Sequence, residues 1–125
     1  MTDYKAMFEN FERGEIDPGS FRHADHVGVA YEALRQYGFF KALQIYAQGL
    51  MALVEKAGVP EKFNATVTFA YMSAIAERMH RQPSVSAADF IAANPELLSG
   101  EVLSRYSPVR LQSNVARQVP LLPDL

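Results

Sequence analysis

Apolar residues recur along this chain at intervals of three and four, the spacing that places them on one face of an α-helix. The pattern is clearest over about residues 39–57, where one stripe combines apolar and aromatic side chains: Phe39, Leu43, Tyr46, Leu50, Leu53 and Val54. Gly58 and Pro60 follow this segment and form a stop signal for the helix. Gly49 lies inside it and costs up to about 1 kcal/mol relative to alanine, which indicates a close contact with another helix.

Further segments carry helix signals of the same kind. The predicted helices span about residues 4–13, 23–37, 65–79, 86–93 and 107–118, with a short turn near residues 101–105. Capping residues support the last two helices, since Ser86 and Ser107 can each accept a backbone N–H and Pro108 suits a first helical position. The segment 65–79 is apolar on nearly every side, so we expect it in the middle of a bundle.

No segment alternates apolar and polar residues as a half-buried strand does, and no internal repeat or linker divides the chain. Its 125 residues, 49% hydrophobic and 21% charged, suit one globular domain. The sequence therefore predicts an all-α fold over residues 1–125, a single compact bundle of about five to six helices. Residues 119–125 are proline-rich and predict an extended C-terminal tail.

Charge and composition narrow the range of partners. The formal net charge is -2 and no broad basic patch is apparent, so we expect binding neither to nucleic acid nor to an anionic membrane surface. The absence of cysteine excludes disulfides, thiolate metal ligands and a cysteine nucleophile. No stretch approaches the roughly 20 apolar residues of a membrane-spanning helix, and residues 1–5 lack the order of a signal peptide. We therefore expect a cytoplasmic protein.

A pair of histidines at the start of the second predicted helix is the strongest chemical signal. His23 and His26 are three residues apart and share one helix face, so they could present two imidazoles to one divalent metal ion. His26 continues an inward stripe with Ala30 and Ala33. A third ligand is missing, because His80 lies at the far end of the fourth helix. The alternative is a hydrogen-bonded core histidine at position 26 and a partly exposed His23.

The start of the fourth predicted helix offers a second group of polar residues. Asn64 can cap this helix by accepting the N–H of Thr66 or Val67, and Thr68 follows one turn later on an otherwise apolar surface. A functional interpretation places Asn64 and Thr68 with His26 in a polar pocket between the second and fourth helices. A structural interpretation assigns them only a cap and a threonine that bonds back to a carbonyl.

A basic segment near the C-terminus suggests an anion site. Arg110 could bind a carboxylate or phosphate, and Ser107 starts a helix whose N-terminus favours anions. Alternatively, Arg110 and Arg117 simply pair with acidic residues elsewhere. The chain contains no Gly-x-Ser-x-Gly elbow, no phosphate loop and no Gly-x-Gly-x-x-Gly. No catalytic motif therefore names a reaction.

Several short motifs recur in a fixed order: FRHADHV at 21–27, FNATVT at 63–68, NPELL at 94–98, Tyr106-Ser107, and Ala116-Arg117. The set covers most of the chain and resembles a family of small bacterial all-α proteins, a domain of unknown function. That family has an H-x-x-H helix start, a helix start with His or Asn followed by x-Thr-[Ile or Val]-Thr, and an NP-x-LL segment. The resemblance implies a helical bacterial cytosolic protein. Some relatives carry His-Glu where this chain has Asn64-Ala65, a departure that weakens the case for metal-dependent catalysis here.

Three functions are compatible with these features. The first is a small-molecule pocket, binding or enzymatic, with His26 as proton shuttle or ligand. The second is a metal protein that uses His23 and His26. The third is a helical interaction module or homodimer that uses exposed aromatic residues and the apolar tail, the aromatic residues being Phe8, Phe11 and Phe40. The predicted ligand-binding residues are His26, His23, Asn64, Thr68 and Arg110.

Overall fold

The computed structural model describes residues 2–125, and this part of the chain is all-α without a strand. Its α-helices are α1 (Tyr4–Glu12), α2 (His23–Gln36), α3 (Phe39–Lys56), α4 (Ala65–Arg81), α5 (Ala87–Ala93), α6 (Pro108–Leu111) and α7 (Asn114–Gln118). Short 3₁₀ segments occur at Pro18–Ser20, Pro60–Lys62, Pro95–Leu98 and Gly100–Leu103. The predicted all-α bundle is confirmed. None of the helices within residues 2–125 combines the length and apolar character needed to cross a bilayer.

The last predicted helix, residues 107–118, is divided in two. Ser113 has extended backbone dihedrals (φ -70°, ψ 153°), and its hydroxyl accepts the N–H of Ala116 at 3.1 Å. A serine side chain that caps a new helix competes with continuation of the preceding one. The single helix predicted here is therefore wrong, and α6 and α7 replace it.

The central helix of the bundle is α2, which packs against α1, α3, α4 and α5. Residues 27–33 of this helix are all buried. Small side chains allow neighbours to approach closely: a Cβ atom at Gly28 would overlap the ring of Tyr4. The fourth helix, α4, packs against α2, α3, α7 and the 3₁₀ segment Gly100–Leu103, as expected of a helix inside the bundle. Its buried residues are Thr66, Thr68, Met72 and Ile75.

Phe11 of α1 connects several parts of the core. Its ring is 2% exposed and lies 5.8 Å, centroid to centroid, from the rings of both Phe21 and Tyr46. A Cβ atom at Gly49 would overlap the same ring, so the close contact predicted at this glycine is confirmed. Phe11 thus fills the space that a side chain at position 49 of α3 would occupy.

The aromatic residues predicted to be exposed differ in their surroundings. Phe8 is fully buried and Phe11 nearly so, because α1 packs its apolar face onto α2 and α3. Their assignment to an interaction surface is therefore wrong. Phe40 is 79% exposed, as that assignment requires.

Hydrogen bonds to a buried threonine of α4 hold the C-terminal tail, residues 119–125. The hydroxyl of Thr66 donates to the carbonyl oxygens of Ala116 and Val119, each at 2.9 Å, and accepts the N–H of Leu121 at 2.9 Å. A hydroxyl has one proton, so the two carbonyls share it. Residues 119–125 contain no helix, and this side chain is one of the groups that fix them to the bundle.

We expect a Thr66→Val variant to lose about 1–3 kcal/mol of the free energy of unfolding. Valine keeps the shape of the side chain but removes the partner of two carbonyls and one N–H group. Urea denaturation measures the loss, and amide hydrogen exchange at Leu121 should become faster. Thr68→Val is the matched control, because Thr68 donates only to the carbonyl of Asn64. Equal losses in the two variants, with unchanged exchange at Leu121, would contradict this role of Thr66.

Candidate functional site

An open cleft of about 430 Å³ lies where α2, α3 and α4 meet. Its volume falls in the range of small-molecule sites, about 300–1,000 Å³, and its surface is mostly apolar. We call it the histidine cleft. The residues that line it are His23, His26, Tyr46, Leu50, Val54, Lys62, Phe63, Asn64, Val67, Thr68 and Tyr71. Four of the predicted site residues, His23, His26, Asn64 and Thr68, are thus together in one wall.

His26 is partly buried in this wall. The Phe21 ring lies 4.4 Å from the His26 ring, centroid to centroid, and the Tyr46 hydroxyl lies 3.4 Å from Nδ1 of His26. Burial lowers the pKa of His26 from 6.5 to about 4; the nearby His23 adds to this effect and Asp25 opposes it. The imidazole is therefore neutral at pH 7, with one ring nitrogen donating and the other accepting.

The buried Tyr46 contacts the His26 ring through its hydroxyl group. It is 3% exposed, and burial, with a smaller contribution from Tyr71, raises the pKa of its hydroxyl well above the ordinary value of 10. The hydroxyl keeps its proton and lies 3.4 Å from both Nδ1 and the carbonyl oxygen of His26. A phenol has one proton, so it donates either to the carbonyl or, in the tautomer whose Nδ1 carries no proton, to Nδ1. The bond to Nδ1 restricts rotation of the imidazole.

His23 lies at the exposed rim of the histidine cleft. Its Nε2 is 3.1 Å from the carbonyl oxygen of Leu97, and since a carbonyl only accepts, Nε2 carries the proton. The ring also meets Tyr71 edge-on at 5.4 Å between centroids. At the start of α2, the Asp25 carboxylate accepts the N–H of Arg22 at 2.9 Å. His23 is thus an exposed helix-start residue tied to a distant segment of the chain.

Structural hydrogen bonds hold Asn64 and Thr68. The Oδ1 atom of Asn64 accepts the N–H of Val67 at 3.0 Å, and its Nδ2 donates to the Leu111 carbonyl at 2.8 Å. The hydroxyl of Thr68 donates to the Asn64 carbonyl at 2.8 Å. The predicted cap and the predicted back-bonding threonine are both confirmed. The same two side chains form part of the cleft wall, so the structural and functional interpretations are compatible.

The two histidines are poorly disposed to share a metal ion. Their ring centroids are 6.4 Å apart, whereas two imidazoles on a tetrahedral zinc ion with Zn–N bonds of 2.0–2.1 Å hold them about 5 Å apart. Within residues 2–125 no group of three histidine, aspartate or glutamate residues could hold a metal ion. His80 lies in the last turn of α4. The metal-binding hypothesis therefore requires ring rotation and a third ligand from outside the described residues.

Arg110 is not part of the histidine cleft. Its Nε donates to the Leu122 carbonyl at 2.6 Å, which ties it to the tail. Nearby, the backbone N–H and the hydroxyl of Ser107 donate to the carboxylate of Asp124, each at 2.7 Å, and these bonds hold the pKa of Asp124 below its ordinary value. The anion that we expected at this helix start is therefore supplied by the chain itself.

Sequence reasoning missed several residues of the cleft wall. Tyr46, Leu50 and Val54 recur every four residues on α3, which predicts a buried stripe but does not distinguish a core from a cleft. Lys62 carries no signal in the sequence, because one lysine beside a turn is common on protein surfaces. Tyr71, in the apolar segment 65–79, also borders the cleft.

A second cleft of about 430 Å³ lies beside α1, α2 and α5. It contains the buried Glu32, whose Oε1 accepts two N–H groups of Arg35, at 3.0 and 2.9 Å. Since a buried charge must be paired, this bond accounts for both residues structurally. Asp3 and Lys5 also line this cleft, so it mixes charges of both signs and indicates no particular ligand.

Comparison of the chain with protein-family models, curated proteins and solved structures finds no match. The resemblance to a bacterial family of unknown function therefore stays a prediction. The histidine cleft has to be interpreted from its own residues.

Proposed function

We propose that this protein binds a small, mostly apolar molecule in the histidine cleft, where His26 forms a hydrogen bond with a polar group of the ligand. The observation that carries the proposal is a neutral, oriented imidazole in the wall of an apolar cleft of ligand size. Sites of this kind combine apolar walls with few polar groups that fix the orientation of the ligand.

The apolar part of the wall supplies affinity. Leu50 and Val54 of α3 line the cleft together with Phe63 and Val67. A ligand bound there therefore removes apolar surface of several residues from water. Burial of apolar surface contributes about 25 cal/mol per Å². A ligand that fills the cleft therefore gains several kcal/mol of binding free energy before the cost of association is subtracted.

The polar part of the wall supplies selectivity. His26 is uncharged at pH 7, so it suits a hydroxyl, carbonyl or amide group of the ligand. Asn64 and Thr68 are already fixed by bonds to the backbone, and His23 is fixed to Leu97. Little side-chain entropy remains to be lost when a ligand binds to a wall of this kind.

We expect a protein-observed NMR screen of the isotope-labelled protein, with small neutral, anionic and cationic fragments, to yield binders that shift the amide signals of cleft residues. A Val54→Trp variant should weaken these binders about tenfold or more, because the indole fills the space between α3 and α4. Gln44→Trp is the matched control: it adds the same side chain to an exposed position of α3 outside the cleft. Circular dichroism establishes that both variants fold.

If Val54→Trp does not fold, Val67→Phe fills the cleft from α4 instead. The proposal is wrong if no fragment shifts the cleft signals of the wild-type protein. It is equally wrong if the binders have the same affinity for the filled variant and for Gln44→Trp.

A further inference from the structure

The histidine cleft carries a positive charge from its lining residues. Among the residues that the structure describes, no aspartate or glutamate lines it, and Lys62 is its one lysine or arginine. The chain as a whole carries a formal net charge of -2, so this wall differs from the average surface. A cleft of one sign favours ligands of the opposite sign.

The ammonium group of Lys62 takes part in none of the ion pairs described within residues 2–125, all of which involve arginine. By contrast, the ammonium group of Lys41 lies 5.0 Å from the Tyr37 ring centre, and that of Lys56 donates to the Ile16 carbonyl. Lys62 is exposed at the cleft, where a ligand could approach its ammonium group.

The apolar residues of the wall adjoin this cation. Phe63 follows Lys62 directly in the chain, and Val67 lies on the first turn of α4 beyond it. The cleft thus offers one positive charge next to apolar surface. Its volume of about 430 Å³ lies in the lower half of the range of small-molecule sites, which suits a small ligand.

We propose that the ligand class is a medium-chain monocarboxylate, with its apolar chain against Leu50, Val54 and Phe63. Its carboxylate then accepts hydrogen bonds from the Lys62 ammonium group and from the N–H of the His26 imidazole. This inference rests on the proposed small-molecule function and specifies its ligand. One carboxylate matches one lysine, whereas a dianion would lack a second permanent cation in the wall. A positively charged amphiphile would be repelled by Lys62 and find no carboxylate.

Three probes of equal chain length test the ligand class: octanoate, 1-octanol and octylamine. We expect titrations of the isotope-labelled protein, followed by NMR, to show octanoate binding about three- to tenfold more tightly than octanol, with octylamine weakest. The Lys62→Gln variant should lose the preference for octanoate and keep the affinity for octanol. Lys41→Gln removes the same charge outside the cleft and should retain the preference.

The possible failures are distinguishable. If octanol or octylamine binds in the cleft as tightly as octanoate, or if Lys62→Gln retains the preference, the carboxylate assignment is overturned while small-molecule binding stands. The same conclusion follows if the cleft binds screening fragments but none of the three probes. If neither fragments nor probes shift the cleft signals, both proposals are wrong.

Discussion

Replacement of Phe11 by alanine is expected to lower the free energy of unfolding by about 3–5 kcal/mol. The ring is 2% exposed and fills the space left by Gly49, so its removal opens a cavity between α1 and α3. Phe21 and Tyr46 lose their stacking partner in the same step. Because both of these rings contact His26, the signals of its imidazole should also shift in the folded variant.

Urea denaturation followed by circular dichroism measures this loss. Phe40→Ala is the matched control, because it deletes the same side chain from a position that is 79% exposed, and it should cost less than about 0.5 kcal/mol. A similar cost in both variants would show that Phe11 does not hold α1 against α3.

Acid is expected to destabilise this protein through His26, by about 3 kcal/mol between pH 6.5 and pH 4. The pKa of His26 in the folded state is lowered to about 4, against 6.5 for the free side chain. The unfolded chain therefore binds a proton that the folded chain excludes, and stability falls as the pH drops through this window. Below pH 4 both states are protonated, and this contribution stops growing.

Unfolding free energies at several pH values, measured for the wild type and for His26→Gln, isolate this effect. Glutamine does not titrate, so the variant should lack about 3 kcal/mol of the acid-dependent loss. Carboxylates titrate in the same range, but they do so in both proteins and cancel in the difference. His80→Gln is the control, because it removes an exposed histidine in the last turn of α4. Identical pH profiles for the wild type and His26→Gln would refute the assignment.

Local patterns predicted most of the fold. The limits of α1 to α5 agree with the sequence prediction to within two residues, because apolar spacing and caps such as Asn64 act within one or two turns. Gly49 even predicted a close contact. The partner that fills it, Phe11, lies 38 positions earlier in the chain, and nothing local identifies it.

The candidate site was predictable only in part, because contacts between residues distant in the chain leave no local signal in the sequence. The spacing of His23 and His26 and the cap at Asn64 are local features, and each is visible in the sequence. The contribution of α3 and the position of Lys62 depend on how three helices pack, which apolar periodicity does not encode. The bond between Asp124 and Ser107, which occupies the predicted anion site, likewise joins residues that only the tertiary fold brings together.

The attachment of the tail to Thr66 has a practical consequence for protein preparations. Thr66 lies on the first turn of α4 between Asn64 and Thr68, so the segment that holds the tail also forms a wall of the histidine cleft. Carboxypeptidase trimming past Leu121 would remove a hydrogen-bond partner from this turn. Partly clipped samples would then contain two populations that differ at the first turn of α4, and a binding assay on such a mixture would average over both. Intact-mass measurement before each titration separates the two cases.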